Sequence, residues 1–191
     1  TGEGGMAVTN DESLADRLRL LRSHGVTRDT NAMQDQEQGE WYYEMHDLGF
    51  NYRLTDIQAA LGLSQISKLS RIIERRGQIA ERYSQMLSHE NLELPITSPD
   101  RLSAFHLFIV RLKEANRRPE RLQAMRDSGI GVNVHYIPVH LHPYYKALGF
   151  QSGDFPVAED YYARAISIPM FPSLTDEEQD FVVNTLNQQF V

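Results

Sequence analysis

The chain has 191 residues, 41% of them hydrophobic and 24% charged, which is enough apolar material for an ordinary core and too much for a disordered tail or a fibre. Nineteen Lys and Arg against 26 Asp and Glu leave a formal net charge of −7, the wrong sign for a surface that gains affinity by releasing phosphate counterions, so a nucleic-acid partner is not expected. The longest uncharged apolar runs, such as Ala104 to Val110, fall far short of the ~20 residues a membrane helix needs, and with no cysteine to form a disulfide the expected compartment is the cytoplasm.

Thr1-Gly2-Glu3-Gly4-Gly5 is polar and turn-forming, and Met6 to Thr9 reads as a short strand. Thr9-Asn10-Asp11-Glu12 has the spacing of a capping box, and Leu14, Leu18 and Leu21 then recur at helical intervals up to a stop at Gly25. Thr27 to Gly39 is polar and without period, the pattern of a poorly ordered surface loop. Thr55-Asp56-Ile57-Gln58 is a second capping box. From it an apolar stripe through Ile57, Leu61, Leu69, Ile72, Ile79, Tyr83 and Leu87 predicts about 33 helical residues, ~50 Å of helix, or two nearly collinear helices joining one domain to the next. Gly62 and Gly77 are the candidate bends.

Beyond the linker Pro95 to Pro99, Ser103 to Leu112 reads as a buried strand, Arg118 to Met125 as a helix ended by Ser128-Gly129, and Gly131 to Ile137 as a second strand, together a β-α-β unit. Short helices are expected at His142-Pro143-Tyr144-Tyr145 and from Phe155-Pro156 to Ala165, with a brief strand at Ser167-Ile168. A last helix is capped by Thr175 and Glu178 and carries Phe181, Val182, Thr185, Leu186 and Phe190 on one stripe. There is no internal repeat. The expected division is residues 1–65 and residues 66–191, an α/β part followed by an α+β part.

Two clusters carry candidate chemistry. Asn51-Tyr52-Arg53 sits just before a capped helix, where an amide donor and a cation near the positive end of the helix dipole suit a phosphate; a polar loop with Arg53 paired to a carboxylate is the alternative. His135-Tyr136-Ile137-Pro138-Val139-His140-Leu141-His142 holds three histidines in eight residues. They suit the mouth of a ligand cleft, a metal site lacking a nearby carboxylate, or histidines satisfied within the fold. Ser23 beside His24 is a poor nucleophile–base pair, because sequence neighbours rarely align for that task.

Leu21-Arg22-Ser23-His24-Gly25, the run from Leu48-Gly49-Phe50-Asn51-Tyr52-Arg53 through Leu54-Thr55-Asp56-Ile57-Gln58-Ala59-Ala60-Leu61-Gly62, and Val134-His135-Tyr136-Ile137-Pro138, together with the opening Thr1 to Met6, resemble the DegT/DnrJ/StrS family of nucleotide-sugar aminotransferases. The resemblance implies the C-terminal part of a fold-type I pyridoxal-phosphate transferase: the end of the large domain, the small C-terminal domain, and a homodimer with shared active sites. By that resemblance Asn51 and Arg53 belong to the cofactor-phosphate site, and His135, Tyr136 and His140 approach a UDP-sugar that receives an amino group from L-glutamate. His106 matches a recurrent histidine without an assigned role. In relatives the Schiff-base lysine lies just upstream of the segment matching Thr1 to Gly5. This chain has three lysines, Lys68, Lys113 and Lys146, all in other contexts, so no catalytic residue is expected within it and the chain alone is expected to be inactive. A sugar-nucleotide binding or sensor module on the same fold is the alternative.

Overall fold

The structure is a computed structural model that describes residues 1–35, 38–88 and 90–188, with side chains for all of these but Asn116. The chain divides into two compact units, Thr1–Lys68 and Leu69–Val191.

The first unit holds α1 (Glu12–Leu21), the two-residue strands β1 (Val26–Thr27) and β2 (Glu44–Met45), and α2 (Asp56–Ile66). β1 and β2 pair antiparallel, Val26 opposite Met45. Met6 to Thr9 forms no strand: no described residue pairs with it, and Met6 and Val8 are exposed. The cap of α1 is Asp11, whose carboxylate accepts from Leu14 N–H at 3.1 Å, and not Thr9, whose hydroxyl accepts from Asp11 N–H one step earlier. The capping box at Thr55 forms in full: Thr55 Oγ1 accepts from Gln58 N–H and Gln58 Oε1 from Thr55 N–H.

The long apolar stripe is two helices, α2 and α3 (Leu69–Met86). The break falls at Ser67-Lys68 and at neither glycine. Ser67 closes α2, and its hydroxyl donates to Ser64 C=O at 2.9 Å, a local bond of the kind that competes with helix continuation.

The second unit is built on a three-stranded antiparallel sheet in the order β3 (Leu92–Glu93), β4 (Phe108–Leu112), β5 (Ala165–Ile168). The expected strand from Ser103 shortens to its last five residues, where alternation is strict: Phe108, Val110 and Leu112 are buried while Ile109 and Arg111 are half-buried. α3 and α7 (Asp176–Gln188) pack together, contributing Ile79, Ala80 and Tyr83 from one and Val182, Val183 and Leu186 from the other. Phe181 is exposed, so the buried stripe of α7 runs through Gln179, Val182, Val183 and Leu186; Phe190 lies outside the described residues. Polar ties lock the pair. Gln179 Nε2 donates to Ile79 C=O at 2.8 Å, and Arg82 pairs with Asp180 at 2.7 Å. Tyr83 donates its hydroxyl to Pro169 C=O at 2.9 Å, and burial pushes its pKa up.

α4 (Arg118–Asp127), α5 (Pro143–Ala147) and α6 (Pro156–Arg164) form where the sequence places them, each with proline in its first turn. Gly131 to Ile137 does not become a strand. It touches the edge of β5 through one bridge, Asn133 opposite Ser167, and the next backbone donor, Val134 N–H, is taken by the Asn133 side chain at 2.8 Å. The β-α-β reading thus reduces to strand, helix and a single bridge.

The two units differ sharply in what they bury. Every buried hydrophobic side chain among the described residues belongs to residues 79–186, while the only buried described residue of the first unit is Gly25. Residues 69–191 expressed alone are therefore expected to melt cooperatively, and residues 1–68 alone to give no cooperative transition by near-UV circular dichroism.

Candidate functional site

In the first unit, two sequence clusters separated by more than twenty residues are laced together by backbone. His24 N–H donates to Phe50 C=O at 2.8 Å, Phe50 N–H to Leu21 C=O at 2.7 Å and Tyr52 N–H to Arg22 C=O at 2.9 Å, with Ser23 and Asn51 facing each other as an antiparallel bridge. The approach is too close for side chains. A Cβ on Gly25, which sits at φ +68°, would lie 1.8 Å from Asp47 O, and one on Gly49 would lie 2.2 Å from Gly25 N. Both glycines are dictated by this crossing.

Alternation along the crossing strand sets the site. Phe50 and Tyr52 point to one side and stack their rings at 4.9 Å, which turns Asn51 and Arg53 to the other. Among the described residues neither the Asn51 amide nor the Arg53 guanidinium has a protein partner, so the alternative in which Arg53 is paired with a carboxylate is not what forms. Arg53 lines an open concavity of about 620 Å³ with Ser23, His24, Val26, Arg28 and Tyr43. The guanidinium of Arg28 lies over the Tyr43 ring, 5.7 Å from its centre. The opening segment lies beside the start of α2: Gln58 Nε2 reaches Thr1 O and Glu3 O at 3.5 and 3.4 Å. Three of the four clusters that carry the family resemblance therefore meet in one place.

The polar loop after Thr27 is anchored on this unit by Glu44, whose carboxylate accepts from Gln34 N–H and Asp35 N–H, each at 2.8 Å, and meets His46 Nε2 at 2.5 Å. Those backbone donors, first Asp35 and then Gln34, hold the Glu44 pKa down at about 2. Residues 36–37 of the loop lie outside the described residues.

In the second unit the three candidate residues separate by role. His135 is half-buried; its Nδ1 lies 2.7 Å from Ser167 Oγ and its ring meets Tyr136 edge-on at 4.5 Å. Tyr136 is 71% exposed and heads an apolar groove of about 660 Å³ with Pro138, Phe155, Val157 and Tyr161. His140 is turned inward. It is 7% exposed, its Nε2 lies 2.8 Å from Glu159 Oε1, and its ring lies against Phe155 at 4.7 Å. Glu159 accepts also from Ser152 Oγ at 2.9 Å and Gly153 N–H at 2.8 Å, so one carboxylate closes the whole turn before α6. The sequence left Ser167 and Glu159 unmarked because they lie 32 and 19 positions from their histidines. Among the described residues no three His, Cys, Asp or Glu side chains gather as metal ligands. His106 contributes its carbonyl, which with that of Phe105 accepts from Arg76 Nη1.

The aminotransferase fold and the family follow from comparison with known proteins. The chain belongs to the DegT/DnrJ/EryC1/StrS aminotransferase family, whose pattern matches residues 1–187. It is 40% identical over 192 residues to the spore coat polysaccharide biosynthesis protein SpsC of Bacillus subtilis, an alignment covering 97% of this chain and 49% of that protein. Among solved structures it superimposes on the putative sugar aminotransferase Spr1654 of Streptococcus pneumoniae in its PMP form with a TM-score of 0.85 at 29% identity, covering 96% of this chain and 46% of that one. For Helicobacter pylori PseC, an aminotransferase of pseudoaminic acid biosynthesis, the values are 0.82, 27%, 95% and 47%. The chain thus spans about half the length of the relatives it matches, and its α/β fold is that of part of a fold-type I aminotransferase. No helix among the described residues is long and apolar enough to cross a membrane.

The bonds to Glu159 make acid stability a test of the second unit. His140 first, then Gly153 N–H, holds the Glu159 pKa at about 2 against an ordinary 4.5. A depressed carboxylate stabilises the fold fully above its unfolded value and loses that contribution as pH falls through the folded one. The window is therefore pH 4.5 down to 2. Glu159→Gln is expected to lower Tm at pH 6 and to show a smaller further fall between pH 4.5 and 2 than the parent, read by thermal melts across that range.

Proposed function

We propose that this chain supplies the phosphate-holding and sugar-facing parts of a nucleotide-sugar aminotransferase that uses pyridoxal 5′-phosphate. The observation that carries the proposal is the meeting of Thr1–Glu3, Arg22–Gly25 and Gly49–Arg53 at the start of α2, with Asn51 and Arg53 presented side by side and unpartnered. An amide N–H2 and a guanidinium are donors without acceptor capacity toward an anion's oxygens at their nitrogens, and both stand near the positive end of a capped helix; the donor set fits a phosphate monoester. When bound, the cofactor supplies the electron sink that amino transfer requires.

The chain's own residues then divide the work. Asn51 donates to the phosphate, and Arg53 adds charge at the same face. Arg28 and His24 line the concavity on which Arg53 opens. His135 and Tyr136 face the sugar from the small domain, and the apolar groove beside Tyr136 receives the less polar face of the substrate. His140 supports them by fixing the turn through Glu159.

The exposed apolar residues of α2, with Ile57 at 78% and Leu63 at 70%, support a partner surface there, which we assign to the remainder of the aminotransferase fold and to the second subunit of a homodimer. The substrate proposed is a UDP-linked 6-deoxy-hexulose with a C4 ketone, and the amino donor L-glutamate. The motif resemblance and the likeness to PseC support the C4-amination of the pseudaminic acid route, the step of UDP-4-amino-4,6-dideoxy-N-acetyl-β-L-altrosamine transaminase. The lysine that attaches the cofactor is assigned to the segment preceding the matching region in the relatives, and none of Lys68, Lys113 and Lys146 replaces it.

Two measurements test this. In the protein joined to that preceding segment, Asn51→Asp sets a carboxylate against a phosphate and is expected to weaken cofactor binding about tenfold or more, read by absorbance titration; unchanged affinity removes Asn51 from the site. Borohydride reduction of the chain alone with pyridoxal phosphate is expected to leave no lysine stoichiometrically modified by mass spectrometry, and stoichiometric labelling of any one of the three overturns the assignment.

A further inference from the structure

His135 is held from both ring nitrogens by residues that are themselves tied to β5. Ser167 is buried in the strand, pairs with Ile109 of β4 on one side, and exchanges both backbone hydrogen bonds with Asn133 on the other: Ser167 N–H to Asn133 C=O at 2.8 Å and Asn133 N–H to Ser167 C=O at 3.2 Å. Its hydroxyl lies 2.7 Å from His135 Nδ1, while Asn133 Nδ2 stands 3.5 Å from His135 Nε2.

Which nitrogen carries the proton follows from the amide. Val134 N–H is a donor only, and it lies 2.8 Å from one end of the Asn133 side chain, so that end is the carbonyl oxygen. The NH2 group is thereby the end turned toward the ring. A proton on Nε2 would set donor against donor, and turning the amide over would set its NH2 against Val134 N–H instead. The arrangement free of such a clash has Nε2 bare and Nδ1–H donating to Ser167 Oγ, whose hydroxyl has two acceptor lone pairs available.

We propose that Ser167 and Asn133 are positioning residues that hold neutral His135 as its Nδ1–H tautomer, with an unprotonated Nε2 next to the exposed Asn133 amide and the Tyr136 ring. The consequence is a rule of recognition. An unprotonated Nε2 accepts a hydrogen bond and repels the lone pairs of phosphate and carboxylate oxygens, so a ligand that takes the place of the Asn133 amide, 3.5 Å away, must offer His135 a donor such as a sugar hydroxyl or an amide N–H. That His135 faces a sugar rests on the function proposed above; the tautomer does not.

The test is long-range proton–nitrogen correlation on the uniformly ¹⁵N-labelled chain at a pH where imidazoles are neutral, with His135→Gln assigning the signals. The expected result is a protonated nitrogen at Nδ1 and an unprotonated one at Nε2 as the dominant form. Ser167→Ala, which removes the acceptor, is expected to move the ring toward the Nε2–H form. Asn133→Ala, an exposed position, is expected to do so to a lesser extent and is the second probe should Ser167→Ala fail to fold. A dominant Nε2–H form in the parent chain overturns the proposal, as does a tautomer unmoved by both variants when both melt cooperatively. Titration with UDP-N-acetylglucosamine separates the two readings: a shift of the Nε2 signal is expected, and its absence with the tautomer intact counts against the sugar-facing role and leaves the positioning residues standing.

Discussion

The tight backbone crossing between His24-Gly25 and Gly49-Phe50 governs the candidate cofactor site. Two segments approach so closely that a Cβ on either glycine would collide with backbone atoms, and this closeness lets three consecutive inter-segment hydrogen bonds form. Once those bonds are made, the register of residues 50 to 53 is fixed, and with it the side on which each side chain emerges. A shift by one residue would turn Phe50 and Tyr52 toward the concavity and the amide and the guanidinium away from it. The site is thus a product of main-chain geometry. The candidate chemistry rests on side chains that make no hydrogen bond or ion pair of their own among the described residues.

The second unit solves a different problem. Its strands are short, and the sheet is held by burial on β4 and β5 together with helix–helix ties that cross a hundred positions of sequence, such as Gln179 to Ile79. Burying a glutamine costs desolvation of a whole amide, and only its nitrogen is satisfied; Oε1 is buried without a partner. The compensation lies in the neighbouring ion pairs and the apolar stripe on either side, which place α7 against α3 and keep Pro169, and hence the end of β5, where Tyr83 can reach it. That placement carries Ser167, which is how a buried residue of β5 comes to orient the half-buried ring of His135.

Local signals in the sequence translated well where a single turn of chain decides the outcome. The capping box at Thr55, the prolines that open α4, α5 and α6, and the Thr175–Glu178 cap all form as their spacing predicts. Signals that depend on a distant partner did not. Met6 to Thr9 is a short apolar run and Gly131 to Ile137 alternates like a strand, yet one pairs with nothing described and the other with a single residue, because such patterns state which side chains are apolar and nothing about what lies alongside. The sequence allows two collinear helices in place of one but points to Gly62 and Gly77 for the bend; the break at Ser67 is hidden because an apolar stripe continues across it, and a serine hydroxyl that turns back on its own helix leaves no mark on periodicity. For the site, Asn51 and Arg53 were visible as residue types before a helix, and the sequence contained no hint that Ser23 would face Asn51.

The histidine cluster shows why residue type alone is a weak guide to chemistry. His135 and His140 stand five positions apart and look equivalent in sequence, and the fold gives them opposite duties. His140 loses its solvent and commits Nε2 to a carboxylate that three other donors also claim, so it closes a turn. His135 commits Nδ1 to a neutral hydroxyl, and its other nitrogen meets only the exposed Asn133 amide, at 3.5 Å, beside an exposed tyrosine. The difference comes from the partner each ring meets: an anion anchors an imidazole into the structure, whereas a serine orients it and leaves it able to bind. A group placed to recognise a ligand needs the second kind of neighbour, because it must be held still without being used up.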